Sequence, residues 1–520
     1  ITQYYMEDIA YAGLVKMDFL GLRNLTMIAK AISIIEETRG IKIDPDQLPL
    51  DDEKVFTTIS NGDLAGIFQL ETSGGMRQVA RDMKPSNLED ISALIALYRP
   101  GPLDSGMIEK FIDCKHGKMA IKYETPMLES ILKDTYGQIV YQEQIMQIAQ
   151  KLGGYSLGEA DLLRRAMGKK KPEEMETHRG RFMDGCAKNG ISATISEKLF
   201  DIMIQFAEYC FNKSHSQAYA MVTYQTAYLK THYPVEYMTA LLSSVASEQD
   251  KVQGYIAECQ AMDIPILAPD VNVSGLDFTA DGGSIRFGMA GIKNVGEAAV
   301  LEIVKKRTEG GKFKSIQDFI GRLDLRVVNK RALEALIKCG ACVGLGVSRK
   351  QALANIDALV ERATRKQAQE ASGQISLFSF AAEKGGSDLD FDNQPLAGDS
   401  GEFSESEMQV MEHELVGFYV TSHPLTRIAN RLRYMTTHPI KDLHEASDGT
   451  SVIVGGLVNA VEKKLTKQNK MIAIVKMEDL TGKCEVVFYG KPLEELEEGI
   501  LTSQSLLLIK GKIRKNDEGF

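Results

Sequence analysis

The sequence lacks the features that would tie it to a membrane, a secreted scaffold or a common cofactor. No apolar run in its 520 residues approaches the ~18 residues that span a bilayer. Its seven cysteines are scattered, which argues against a disulfide framework and for a reducing, cytoplasmic compartment. It has no zinc-ligand spacing, Walker phosphate loop, nucleophile elbow or dinucleotide fingerprint. These absences exclude several large classes of enzyme.

Length and charge indicate a multidomain protein with one unusual segment. A chain of 520 residues exceeds what one core holds, so several domains are expected. The net charge of −10 by itself argues against a uniformly basic nucleic-acid binder. However, residues 370–414 contain eleven acidic residues and one lysine, so the rest of the chain is neutral. The acidity belongs to a predicted flexible linker.

The pattern along the chain predicts a mainly helical protein with a β-rich end. Residues 13–20 are predicted to form a strand, followed by a helix with Asn24 as N-cap and Gly40 at its end. From 451 onward, four short strands suggest a small barrel such as an OB-fold. The clearest helices in between are predicted at 127–134, 139–152, 158–168, 217–231 and 234–246.

Lys16 and Asp18 project from one side of the predicted first strand. Phosphoryl transfer uses carboxylates to hold Mg²⁺ and a cation to balance the developing charge. A lone carboxylate on a strand fits a salt bridge equally well, and the spacing alone favours that simpler interpretation.

Two clusters carry groups that bind phosphate. Residues 161–181 hold seven basic and four acidic residues, among them Arg164, Arg165 and Lys169. Residues 211–216 offer an amide, a cation, an imidazole and two hydroxyls. A solvated charged face is the alternative for the first cluster. For the second, the alternatives are a buried histidine or a helix start capped by Ser214 or Ser216.

Two glycine-marked turns predict tandem helix-hairpin-helix units, whose backbone N–H groups grip phosphate without reading sequence. Gly291, Lys293 and Gly296 mark the first unit, and Lys330 and Arg331 flank the second. Ordinary helix–helix turns are the alternative. Within the linker, the segment 374–378 predicts docking into an apolar pocket of a partner.

Together these residues resemble the alpha (polymerase) subunits of bacterial DNA polymerase III, the family C replicative polymerases. The resemblance covers essentially the whole chain in the right order. The matching stretches are 16–22, 66–76, 98–106, 115–117, 141–144, 163–172, 211–216 with 224–226, and 417–425.

The resemblance implies a fold and a set of domains. Residues 1–23 would end a polymerase-beta-like α/β palm, and 24–270 would be the helical fingers. Residues 271–348 would be the tandem helix-hairpin-helix region that grips duplex DNA. Residues 349–445 would be a linker with a clamp-binding peptide and a following helical segment. Residues 446–520 would form a truncated OB-fold that binds single strands.

The resemblance also implies the site residues and partners of template-directed DNA synthesis. Asp18 matches the third of three catalytic, metal-binding aspartates, with Lys16 beside the reacting phosphate. Two Mg²⁺ ions, deoxynucleoside triphosphates, primer-template DNA, a sliding clamp, a clamp loader and a proofreading exonuclease would take part. The nucleotide-binding residues would be Arg164, Arg165, Lys169, Asn212, Lys213, Ser214 and His215, and the clamp-binding residues would be Gln374, Leu377 and Phe378.

The ends of the sequence suggest a piece of a longer protein, with the other two aspartates before Ile1. One carboxylate cannot hold two ions, so this piece alone is expected to be inactive. A non-catalytic DNA-binding and clamp-tethering module is the main alternative. A helicase or nuclease accessory is a third, which the missing phosphate loop disfavours. Cys210 resembles a joined intein junction of cyanobacterial members, or else it is a small buried cysteine.

Overall fold

The computed structural model describes most of the chain. It covers residues 3–15, 17, 19–71, 74–169, 172–207, 209–371, 396–398, 401–419, 422–443, 446–466, 470–497 and 499–514. Within these ranges the fold is mainly helical, as the sequence predicts. No helix among them is long and apolar enough to cross a membrane.

The first fifteen helices form the N-terminal part. They are α1 Met6–Tyr11, α2 Arg23–Arg39, α3 Glu53–Ser60, α4 Gly74–Met83, α5 Leu88–Leu97, α6 Pro100–Asp104, α7 Met107–Lys115, α8 Glu129–Leu132, α9 Gln142–Gly153, α10 Leu157–Lys169, α11 Pro172–Lys188, α12 Ala193–Ala207, α13 Lys213–His232, α14 Pro234–Ser244 and α15 Gln249–Ala261.

The remaining elements mix helices and strands. The helices are α16 Glu297–Gly310, α17 Ile316–Arg322, α18 Lys330–Lys338, α19 Arg349–Ala371, α20 Glu405–Val416, α21 Ala429–Met435 and α22 Lys491–Glu494. The strands are β1 Ile266–Leu267, β2 Thr279–Asp281, β3 Ser284–Arg286, β4 Ser451–Leu465, β5 Met471–Glu478, β6 Lys483–Tyr489 and β7 Leu506–Lys512.

The start of the chain differs from the sequence prediction. None of the described residues between 13 and 20 is in a strand. Helix α2 begins at Arg23 after Leu22, which provides no side-chain cap, so the predicted N-cap Asn24 lies inside the first turn. The predicted end of α2 is confirmed, because Gly40 takes the left-handed conformation with φ of 67°.

Three apolar cores organise the helices. One joins α3, α4, α5 and α7 to α13, and another lies among α8 to α12. In the second core Gly185 of α11 lies so close to Gly153 of α9 that a Cβ on Gly185 would overlap the Gly153 carbonyl group. The third core is continuous from α2, α14 and α15 through α16–α20. This third core therefore includes residues on both sides of the domain boundary predicted near residue 270.

The two sheets are small. Strand β3 pairs in parallel with β1 and antiparallel with β2, and the sequence analysis missed all three strands. The C-terminal sheet is antiparallel with the order β6-β5-β4-β7 and a register shift between Val458 and Ala460. Its strands lie close to the predicted ranges. This curled sheet of four described strands is consistent with the predicted OB-fold.

Candidate functional site

Two helix starts that are far apart in sequence meet at one point. Tyr141 and Phe211 form an isolated parallel β-bridge. The Gln142 N–H donates to the Phe211 carbonyl at 2.9 Å, and the Phe211 N–H donates to the Val140 carbonyl at 3.0 Å. Helices α9 and α13 begin directly after these residues. The partial positive charge of both N-termini therefore collects on one side of the bridge.

The start of α13 is capped by a residue other than the two serines that the sequence suggested. Asn212 has an extended backbone, and its side-chain oxygen accepts from the His215 N–H at 2.8 Å. Ser216 is buried, and its hydroxyl lies 2.8 Å from that of Ser92. Ser214 and His215 are exposed in the first turn. The predicted cluster is therefore the first turn of a long helix, with Asn212 as its N-cap.

Glu143 bridges the two helix starts. Its Oε1 accepts from the Asn212 side-chain amide at 2.9 Å, and its Oε2 accepts from the Lys213 backbone N–H at 2.8 Å. The Lys213 ammonium lies 5.6 Å from the centroid of the Tyr141 ring. Sequence reasoning assigned no role to Glu143, although it lies within a stretch that carried the family resemblance. The Glu143 carboxylate thus links the start of α9 to both Asn212 and Lys213 at the start of α13.

The two predicted arginines of α10 share one carboxylate, and Arg164 also reaches the start of α9. Nε and Nη2 of Arg164 donate to Oδ1 of Asp161 at 3.0 and 2.8 Å. Nε of Arg165 lies 2.9 Å from the other oxygen of that carboxylate. The Arg164 hydrogen bond lowers the pKa of Asp161 below its usual range. Nη1 of Arg164 also lies 3.4 Å from Oε1 of Gln142, at the start of α9. Lys169 is the last residue of α10.

Arg99 contacts residues on the Phe211 side of the bridge. The sequence analysis did not name it as a candidate. Its guanidinium donates to the carbonyl groups of Ala96 and Tyr209, both at 2.8 Å. The same group lies 4.6 Å from the centroid of the Phe211 ring. Gly101, two residues later in the sequence, lies against the Tyr209 ring, and a Cβ atom on it would overlap that ring. The signal was the stretch 98–106, which carried the family resemblance without a role for its arginine.

The first helix-hairpin-helix turn is partly occupied by the protein itself. The Gly291 N–H donates to the Gly288 carbonyl, and the Lys293 N–H donates to the Leu415 carbonyl at 2.8 Å. Gly291 is buried against Phe287, where it serves packing. These two N–H groups therefore have hydrogen-bond partners within the protein. Gly296 is exposed and begins α16 without a side-chain cap, and the Lys293 side chain is exposed.

The predicted second unit contains α18, which begins at Lys330. Asn329 caps this helix through a hydrogen bond from the Ala332 N–H at 3.0 Å. The Lys330 ammonium pairs with Asp357 and lies 3.8 Å from Glu334. Arg331 is exposed. Of these two predicted DNA-binding cations, Lys330 is the one that forms ion pairs with carboxylates among the described residues.

Several predicted residues lie outside the described ranges. They are the catalytic pair Lys16 and Asp18 and the clamp-binding residues Gln374, Leu377 and Phe378. In the parts of the chain that the structure describes, no three His, Cys, Asp or Glu side chains are grouped to hold a metal ion. Cys339 and Cys342, which have the C-x-x-C spacing found in some metal sites, are both buried free thiols.

Comparison with known proteins assigns the class of this architecture. A family model for the bacterial DNA polymerase III alpha subunit finger domain matches residues 24–190, which include α9, α10 and their arginines. A helix-hairpin-helix motif model matches residues 263–352. The chain therefore carries the fingers of a nucleic-acid polymerase together with a helix-hairpin-helix motif.

Comparison with three related proteins identifies the family within this class. The chain is 44% identical to the DNA polymerase III subunit alpha of Thermus aquaticus, covering 100% of this chain and 42% of the relative. It is 40% identical to that of Escherichia coli K12, covering 99% and 45%. For Mycobacterium leprae the identity is 41%, covering 97% and 43%. The chain belongs to the family of bacterial DNA polymerase III alpha subunits and spans less than half the length of these relatives.

Proposed function

We propose that this chain binds the incoming deoxynucleoside triphosphate and the DNA during template-directed synthesis by a replicative polymerase. The junction of α9, α10 and α13 carries the proposal. It brings Arg164 and Lys213 to the two helix N-termini at the Tyr141–Phe211 bridge, and Arg165 is linked to Arg164 through Asp161. Such a set suits a polyphosphate, because charge-assisted hydrogen bonds to phosphate are the strong ones.

Each part of this site has a proposed task. Arg164 and Arg165 bind phosphate oxygens, and Lys169 extends this charge at the end of α10. Lys213, Ser214 and His215 provide the donors of the first turn of α13, while Asn212 fixes its start. Phe211, with Arg99 over its ring, holds the bridge rigid. The site then fixes the triphosphate in position while charge develops at the α phosphate.

The reacting centre itself is proposed from the family resemblance. Asp18 would be one of the metal-binding aspartates, with Lys16 beside the reacting phosphate. Both residues lie outside the described ranges. When bound, two Mg²⁺ ions would neutralise phosphate charge.

The proposed DNA contacts lie in the helix-hairpin-helix region, at Gly296 with the exposed side chains of Lys293 and Arg331. The tandem arrangement within 271–348, the linker 349–445 with its clamp peptide and the OB-fold at 446–520 remain proposals. So do the sliding clamp, clamp loader and proofreading exonuclease as partners. A non-catalytic DNA-binding module is the alternative that the motif match at 263–352 favours.

Nucleotide kinetics of the complete subunit test the proposal. Arg164→Gln should raise the KM for deoxynucleoside triphosphate by about tenfold or more, because a charge-assisted hydrogen bond is lost. DNA affinity should stay the same. Arg181→Gln is the matched control, since Arg181 pairs with Glu159 at 2.7 Å, away from the bridge. An unchanged KM in Arg164→Gln would refute the nucleotide site and leave the DNA-binding alternative.

A further inference from the structure

We propose that Glu143 and Asp161 are place-holding carboxylates, which compete with the phosphates of a triphosphate for the donors of the proposed nucleotide site. The proposal rests on the function proposed above and concerns how that site is regulated. The donors described above are hydrogen-bonded within the protein. They are already bound to two carboxylates.

Glu143 occupies the α13 side of the site. Its two oxygens accept from two different donors, the Asn212 amide at 2.9 Å and the Lys213 N–H at 2.8 Å. The Lys213 N–H belongs to the first turn of α13, whose open donors favour an anion. A phosphate group offers oxygens of the same charge and hydrogen-bonding character. Glu143 therefore holds the place that an anionic ligand would take.

Asp161 occupies the α10 side in the same way. One carboxylate is shared between the two adjacent arginines, at 2.8 Å from Arg164 and 2.9 Å from Arg165. The Asp161 side chain remains 30% exposed and that of Arg165 64% exposed, so a soluble ligand can reach the pair. Arg164 also touches Gln142, which lies next to Glu143 in α9. Arg164 thus links the α10 side to the start of α9, and we treat the α10 and α13 sides as the two halves of the proposed site.

The two carboxylates stabilise the donors of the site but also oppose the binding of an anion. Each carboxylate keeps its donors oriented and hydrogen-bonded, which avoids leaving polar groups unpaired. Each must also be displaced, and its negative charge opposes an incoming anion. A single phosphate or pyrophosphate can replace only one half. A nucleoside triphosphate that reaches both halves gains enough contacts to displace both, so the device favours the long polyphosphate.

A purely structural role makes the opposite prediction. If Glu143 served only to cap α13 and to hold the bridge, removing its charge would loosen the site and weaken nucleotide binding. If it competes with phosphate, the neutral and nearly isosteric Glu143→Gln should strengthen nucleotide binding. Asp161→Asn provides the same test on the other half of the site.

The experiment measures the equilibrium affinity of the complete subunit, bound to primer-template DNA, for a non-hydrolysable deoxynucleoside triphosphate and for inorganic pyrophosphate. We expect Glu143→Gln and Asp161→Asn each to tighten triphosphate binding by about three- to tenfold, as removal of a nearby like charge allows. Pyrophosphate can replace only one half, so we expect its binding to tighten in only one of the two variants. Glu159→Gln is the matched control, because Glu159 lies on the same helix but pairs with Arg181, and it should change neither affinity.

The outcomes separate this inference from the function on which it rests. If Arg164→Gln weakens triphosphate binding but neither carboxylate variant strengthens it, the place-holding role is refuted and the nucleotide site stands. If Arg164→Gln has no effect, the nucleotide site itself is refuted and the place-holding role with it. If Glu143→Gln does not fold, the result for Asp161→Asn decides.

Discussion

The Lys115 ammonium donates to the Asp90 carboxylate at 2.6 Å in the interior of the fingers, where the two side chains are 7% and 1% exposed. Asp90 also accepts from the N–H and hydroxyl of Ser86 and from the Tyr136 hydroxyl, at 2.9 to 3.0 Å. This network joins α5 to α7 and to the loop before α9. The lysine at the centre of the network is one of the residues that carried the family resemblance.

Replacing this lysine should be costly. Lys115→Met leaves Asp90 buried without its counter-charge, and we expect a loss of about 3 to 5 kcal/mol in the local stability of α5 and α7. Hydrogen exchange of these helices measures the loss. The control is Lys118→Met, which removes an exposed pair with Asp113 at 3.9 Å and should cost less than about 1 kcal/mol. Equal effects would show that burial of the pair is unimportant.

Two glycines of α11 should respond in opposite directions to alanine. Gly185→Ala places a methyl group against the Gly153 carbonyl, so α9 and α11 must move apart at a cost of about 1 to 3 kcal/mol or more. Gly180 has open space around its Cβ position, and Gly180→Ala should stabilise the helix by about 0.5 to 1 kcal/mol. Denaturant unfolding of both variants measures the difference. A Gly185→Ala protein as stable as the parent would contradict the close approach.

Glu478 should make the C-terminal sheet sensitive to acid. Burial raises the pKa of this carboxyl, but hydrogen bonds from His423 and Asn459 and the Lys483 charge outweigh it and hold the pKa at about 2. The folded pKa is thus below the ordinary value of 4.5. The stabilisation is complete above that value and is lost as the pH falls toward 2, by up to roughly 3 kcal/mol.

Hydrogen exchange in β5, corrected for intrinsic rates and measured across this pH range, tests the expectation. Glu478→Gln should flatten the acid limb of the profile. The control is Glu485→Gln on the neighbouring strand, whose side chain is 57% exposed and 3.8 Å from Lys476, and its limb should keep its shape. If Glu478→Gln retains the full acid limb, another group is responsible.

The two lysines beside the hairpin turns should differ in their contribution to DNA affinity. The Lys293 side chain is exposed at its turn, whereas that of Lys330 pairs with Asp357 and Glu334 and must give up these partners to reach a phosphate. Lys293→Ala should weaken duplex binding equally for all sequences and reduce the salt slope by about 1. Lys330→Ala should have a smaller effect. Fluorescence anisotropy over a salt titration measures both, and a larger loss in Lys330→Ala would reverse the ranking.

Local patterns were sufficient to predict most elements but not their ends or their partners. Apolar periodicity located α9, α10, α13 and α14 and the strands of the C-terminal sheet. The N-cap of α13 was assigned to a serine because hydroxyls are common caps, yet Asn212 has the extended backbone that a cap requires. The strand predicted at 13–20 is absent from the described residues there. A strand needs a neighbour, and a short apolar run does not specify one.

The candidate site was predictable by residue type but not by arrangement. Arg164, Arg165, Asn212 and Lys213 were chosen because cations and amides suit phosphate. Their partners Glu143 and Asp161 were not singled out, because nothing local shows which carboxylate a cation will meet after folding. The same holds for Lys330, whose partner Asp357 lies 27 positions away.

The bridge between Tyr141 and Phe211 has a consequence for how the protein folds. The residues it brings together, such as Glu143 and Lys213, are 70 positions apart, and the intervening chain contains the separate core of α9 to α12. Contacts of long sequence separation carry a loop-closure cost that local helices avoid. We therefore expect the junction of α9, α10 and α13 to be among the last parts of the fingers to assemble, after the inserted core has condensed.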